Sequence, residues 1–177
     1  MHILLLAYYH PRYIKPLKQW GELLHEKGWN VTEMYPNAFY KEDVLEEFSK
    51  DYDVIVYFGH GMPGAWCGFG FISAMDFIKV KPKSSSRIIF CFCCHSMSSK
   101  NGNCLGKVFI ENSLATLVLG YNGWIKYEKN LEILERTLAI LLSININDCD
   151  FDSLKSAVSN INKSSVKAYL KIAGVNS

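Results

Sequence analysis

Asp53-Val-Ile-Val-Tyr-Phe58 runs straight into Gly59-His60-Gly61, and Ile88-Ile-Phe-Cys-Phe-Cys-Cys94 runs into His95-Ser96. Both are short apolar runs that stop at chemically active residues. Runs of this length without polar alternation suit strands buried on both faces of a parallel sheet. The same pattern extends outward. Residues 3–8 are almost unbroken apolar and read as a central strand. Beyond Pro11 and Pro16, Leu17, Trp20, Leu23 and Leu24 recur at helical spacing, with Gly28 as the stop. Residues 29–35 form a second strand ended by Pro36. Residues 42–48 form a short helix with Val44, Leu45 and Phe48 inward.

Downstream, residues 62–70 read as a glycine-rich loop, 73–78 as a short helix, and Pro82 with the serines at 84–86 as a turn. A helix over 105–112, a fifth strand over 115–120 and a strong helix over 130–142 follow. The tail over 153–172 reads as one or two helices, with Ala157, Val158, Ile161 and Ala168 in the core. Strands alternating with amphipathic helices predict an α/β, three-layer sandwich with a mostly parallel sheet of flavodoxin-like topology. A single domain over residues 1–177 is expected.

Composition narrows the function. A chain of 177 residues buries about 70% of its unfolded surface, so its core needs neither disulfides nor metals. With 49% hydrophobic and 20% charged residues it is an ordinary globular sequence. A net charge of +2 gives no electrostatic reason for a nucleic-acid or acidic-membrane partner. No segment approaches the ~18 apolar residues of a membrane span, and the N-terminus lacks the basic leader of a signal peptide. The expectation is a soluble, cytoplasmic protein whose six cysteines are reduced.

In a parallel sheet, ligands bind beyond the carboxyl ends of the strands. Two such ends carry His60 and Cys94, 34 residues apart in sequence. On neighbouring strands they would stand about 5 Å apart and could act as nucleophile and acid/base. Gly59 and Gly61 would allow backbone conformations closed to other residues, although Gly59-His60-Gly61 alone is equally readable as a tight turn. Alternation puts Cys91 and Cys93 on one face and Phe90, Phe92 and Cys94 on the other. Cys94 ends the strand and is the first choice of nucleophile, with Cys93 the fallback. Cys91, Cys104 and Cys149 read as small core hydrophobes. Cys91, Cys93, Cys94 and His95 are four nominal zinc ligands, but they lack the paired spacing of structural sites, so no metal is assigned. His10 lies at another strand end and reads as a surface or capping residue.

Val54-Ile-Val-Tyr-Phe-Gly-His60-Gly61 followed by Arg87-Ile-Ile-Phe-Cys-Phe-Cys-Cys94-His-Ser96 resembles the paired motifs of caspase-like (clan CD) cysteine peptidases, on the gingipain and CHAT-domain side. There an apolar strand ends in His-Gly, and the next ends in a small residue and the nucleophilic Cys. The likeness continues through Gly106-Lys-Val-Phe109, Ala115-Thr-Leu-Val-Leu-Gly120 and Trp124. The Gln-Ala-Cys-x-Gly signature of caspases is absent, and the interval between His and Cys is shorter than theirs.

The resemblance implies peptide hydrolysis through an acyl-enzyme, with no cofactor and a peptide or protein as substrate. Cys94 would attack as thiolate, His60 would protonate the departing amine, and the N–H groups of Gly61 and Cys94 would form the oxyanion hole. Candidate pocket walls are Trp66, Tyr121, Asn122 and Trp124. Gingipain-like relatives favour a basic residue before the cleaved bond, so Lys or Arg rather than Asp is expected there; that needs a pocket carboxylate, and Asp76 is the one acidic residue between the motifs. Arg12 alone among the three arginines could approach the cleft. The alternative is a catalytically silent caspase-like relative or a non-catalytic, flavodoxin-like binding module. Against the latter, Tyr8-Tyr-His-Pro-Arg12 is not a phosphate-binding glycine loop.

Overall fold

The computed structural model describes residues 1–83, 87–98, 104–145, 150–159 and 170–173. Its frame is built from β1 (His2–Ala7), β2 (Asn30–Met34), β3 (Val54–Phe58), β7 (Ile88–Phe92) and β8 (Leu117–Tyr121). These five strands are parallel, and β9 (Leu170–Ala173) adds antiparallel to β8. The order β2-β1-β3-β7-β8-β9 is flavodoxin-like through its parallel part.

Every central strand sorts its side chains by alternation. Ile3, Leu5, Val54, Val56, Phe58, Phe90 and Phe92 face one core. There they meet Leu17, Trp20 and Leu24 of α1 (Pro11–Glu26), Ile133 and Leu134 of α5 (Tyr127–Ser143) and Leu154 and Val158 of α6 (Phe151–Ser159). Leu4, Leu6, Ile55, Tyr57, Ile89, Cys91 and Cys93 face the other. That side packs on Val44 and Phe48 of α2 (Lys41–Phe48), Phe77 of α3 (Ala74–Phe77) and Leu105 and Phe109 of α4 (Leu105–Glu111). Two such faces make the sheet the middle of three layers, as expected.

At the amino ends of the strands, Arg87 is fully buried and donates to the Phe48 and Lys50 carbonyls at 2.8 and 2.7 Å. It closes the C-terminus of α2, where orphan carbonyls favour a cation. This is the end of the sheet opposite the catalytic candidates.

Several sequence expectations need correction. The segment read as a loop over 62–70 folds into β4 (Gly61–Met62) and β5 (Ala65–Trp66), which with β6 (Ile72–Ser73) form a small antiparallel sheet. A two-residue turn with Gly64 at φ 79° joins β4 and β5, and strands this short show no periodicity to read. Residues 170–173 are a strand, although the tail was expected to be helical to residue 172. Pairing with the edge of β8 overrides local propensity there. Cys104 is not a core residue: its Sγ accepts from the Lys107 N–H at 3.3 Å and caps α4. Cys149, Ile161, Ala168 and the serines at 84–86 lie outside the described residues.

Candidate active site

The exits of β1, β3 and β7 converge at the carboxyl edge of the sheet, on the side where the N-termini of α1 and α5 also arrive. β1 has β2 on one side and β3 on the other, so the chain diverges there and opens a crevice between the exits. A cavity of about 140 Å³ lies at this point, and both His60 and Cys94 line it. Arg12 and Tyr13 enter from α1, and Tyr127 and Asn130 from α5.

Gly59 and Gly61 are needed for a different reason than expected. Neither has a positive φ. A Cβ on Gly61 would lie 2.6 Å from the Cys94 carbonyl oxygen and 2.7 Å from the Cys93 sulfur. One on Gly59 would lie 2.5 Å from Tyr8 Cβ. The glycines let three strand exits approach one another, and that approach carries His60 to Cys94. Gly61→Ala is therefore expected to push the exits apart. A misplacement of about 1 Å in a catalytic pair is worth roughly a hundredfold in rate. Overpacking should also lower stability by about 1–3 kcal/mol in urea titration. Wild-type kcat/KM in that variant would contradict the close approach.

His60 is tied down at its backbone and its ring. Its carbonyl accepts from the buried Tyr57 hydroxyl at 2.9 Å and from the Cys67 N–H at 3.0 Å. Tyr8 and Tyr13 meet the ring edge to face, with centroids 4.8 and 5.2 Å away. Arg12 Nη2 donates to the Tyr13 hydroxyl at 2.9 Å, and that hydroxyl is hydrogen-bonded to His60 Nε2 at 3.2 Å. Burial pushes the imidazole below its ordinary range, and the positive charge of Arg12 pushes it the same way. His60 is therefore neutral at neutral pH. His10 caps α1, its Nδ1 accepting from the Arg12 N–H at 3.3 Å.

Cys94 lies two residues past the end of β7, where the strand was expected to include it. Its residue is 8% exposed, whereas Cys91 and Cys93 are at 0%. Burial raises the Cys93 thiol well above its ordinary value, and neighbouring cysteines raise it further. Cys93 faces the core, away from the cavity that Cys94 lines. The Ile125 peptide unit holds the Cys94 sulfur: its N–H donates at 3.4 Å, and the thiol reaches its carbonyl at 3.7 Å. After Cys94 the chain turns through His95 at φ 56°. Fully buried Ser96 fixes that turn, donating to the Cys91 carbonyl at 3.1 Å and accepting from the Tyr121 N–H at 3.0 Å. The Cys94 N–H has no hydrogen-bond partner among the described residues.

Residues 5–161 match the sequence profile of peptidase family C25. The chain belongs to peptidase family C25. The fold agrees. The Arg-specific cysteine proteinase gingipain R superposes with a TM-score of 0.70 at 12% identity, over 94% of this chain and 43% of that one. In the complex of the Porphyromonas gingivalis RgpB pro- and mature domains, the match is 0.70 at 13% identity, over 93% and 43%. This C25 chain thus spans less than half the length of those gingipain chains. Among curated proteins none matches it.

The substrate-pocket candidates fare unevenly in this C25 fold. Trp66 is fully buried, stacked on Tyr57 at 4.4 Å, and cannot wall an open pocket. Tyr121 is 1% exposed, and its hydroxyl donates to Asn130 Oδ1 at 2.9 Å, so it backs the site without lining it. Asn130 in turn donates to the Phe92 carbonyl at 2.9 Å, at the root of the Cys93-Cys94 turn. Asn122 is exposed, and its carbonyl takes the Ser98 hydroxyl. Trp124 lines the cavity at 80% exposure, its ring edge on His95.

Asp76 lies elsewhere. It pairs with Lys41 at 3.0 Å and serves as the N3 residue of the α3 capping box. Both line a separate groove with Glu42 and Lys79. Burial opposes ionisation of Asp76, but the bonds from Ser73 and Lys41 outweigh it and hold the carboxyl below its ordinary value. Tyr13, Ile125, Tyr127 and Asn130 were not anticipated. The signal for Tyr13 was its place one residue past Arg12 at the exit of β1. The residues of α5 approach only through helix packing.

Proposed function

We propose that this chain is a cysteine peptidase working through a Cys94–His60 dyad. The observation that carries the reading is the shared cavity at the exits of β3 and β7, with both side chains in its wall. Membership of family C25 supports it.

Neutral His60 takes the Cys94 proton as the sulfur attacks the peptide carbonyl carbon. The carbonyl becomes an oxyanion, received by the Cys94 and Gly61 N–H groups. The tetrahedral intermediate collapses, and His60 passes its proton to the departing amine. A water molecule then gives a proton to His60, attacks the thioester and frees the acid, and the proton returns to the thiol. Among the described residues no carboxylate lines the cavity, and Asp76 serves another groove. The proposed substrate is a peptide with no basic preference supplied by Asp76.

The test is competition between reagents. A small alkylating agent should modify Cys94 faster than the other five cysteines, and a peptidyl electrophile should protect it. Cys93 and Cys91, fully buried, should react only on unfolding. Equal reactivity of Cys94 with the rest and no protection would favour a non-catalytic binding module.

A further inference from the structure

Among the described residues, the Arg12 guanidinium is the one cationic group that both touches His60 and lines the cavity. Its Nη2 lies 3.5 Å from His60 Nε2. Its central carbon sits 4.8 Å from the Tyr13 ring centroid and 4.9 Å from that of Tyr127. The Tyr127 hydroxyl also donates to the Arg12 carbonyl at 2.7 Å, so backbone and head group are both fixed. Nη2 is occupied by Tyr13, but Nη1 and Nε make no hydrogen bond among the described residues. No ion pair involves Arg12 among those residues, and the first turn of α1 carries no acidic side chain.

A guanidinium remains charged at any working pH, and its forked donors match a carboxylate. Held between two rings, it loses little freedom on gaining a partner. Its position decides where that partner comes from. His60 delivers the proton to the departing amine, so the space beside His60 receives the leaving side of the scissile bond. The carboxylates that the residue after the cleaved bond can carry, three to five bonds from that nitrogen, are on the Arg12 side of His60. The cavity of about 140 Å³ has room for a small acidic group, a water occupying about 30 Å³ of liquid.

We infer that Arg12 recognises a carboxylate on the leaving side of the substrate. Two sources share this chemistry: the side chain of an Asp or Glu directly after the cleaved bond, and the α-carboxylate of a single departing C-terminal residue. The inference rests on the peptidase reading above and adds the residue that selects the leaving group.

Four peptide pools, randomised on the acyl side and read by mass spectrometry, test it. Their leaving sides are Glu followed by a neutral amidated tail, Gln with the same tail, Lys with the same tail, and a single C-terminal Gln with a free carboxylate. Measurement at about pH 8, above the imidazole range, keeps His60 neutral in every variant. The native chain should cleave a carboxylate-bearing pool roughly tenfold faster than the amidated Gln pool, the scale of a charge-assisted hydrogen bond. Preference for the Glu pool assigns the side-chain source, and preference for the free C-terminal Gln pool assigns the α-carboxylate.

In Arg12→Gln the ratio should fall to near one, while Arg12→Lys should keep part of it as a point charge. Cleavage of all pools at equal rates, a preference for Lys, or a ratio that survives Arg12→Gln overturns the inference and leaves the peptidase reading intact. Cleavage of no pool, with no protection of Cys94 by any peptidyl electrophile, overturns both.

Discussion

Cys94→Ala is expected to abolish peptide cleavage, with kcat below detection, while the folded state keeps its stability within about 1 kcal/mol. Cys94 lines the cavity, so removal of its sulfur enlarges an open space and leaves no sealed void. No other side chain stands in for it, because the nearest thiol in sequence is sealed in the core. Cys93→Ala should show the reverse pattern. Losing a fully buried sulfur beneath Gly61 costs stability, and the dyad survives. Hydrolysis of a fluorogenic peptide pool and urea unfolding together separate the two effects. An active Cys94→Ala with a dead Cys93→Ala would move the nucleophile by one residue and refute the geometry.

His60→Ala should lower kcat by about 10²–10⁴-fold, the usual contribution of a positioned acid–base group. The pH profile gives a sharper readout. As pH falls, His60 protonates and can no longer take the Cys94 proton, so kcat/KM drops on the acid side. Burial and the Arg12 charge both lower this imidazole, which places the acid limb below about 6.5, the ordinary histidine value. Arg12→Gln removes one of those causes and should shift the limb upward. In His60→Ala the limb should vanish. A limb at or above the ordinary value in the native chain, or one that persists without His60, would show that another group titrates.

Neither experiment depends on the wider architecture of gingipain R, of whose chain this sequence covers 43%. The dyad is built from strand exits that lie within the matched segment.

The sequence by itself determined the sheet and that His60 and Cys94 stand at one edge of it. Unbroken apolar runs at β1, β3 and β7 can be satisfied only by burial on both faces, and burial on both faces forces parallel strands with their exits on one edge. His60 and Cys94 follow those runs directly, so their meeting was legible from strand order and spacing. Tertiary structure alone decided the surroundings. Trp66 and Tyr121 read as pocket aromatics because chain position says nothing about which ring a neighbouring layer covers; packing buried both. Asp76 read as a specificity carboxylate because it lies between the motifs, yet a capping turn and Lys41 hold it in another groove. Conversely, Tyr127 and Asn130 lie far along the chain from His60 and reach the site only because α5 packs beside α1. A strand's direction is written in local pattern. The partners of its last side chain are set by how helices pack across the sheet, which involves residues more than a hundred positions apart.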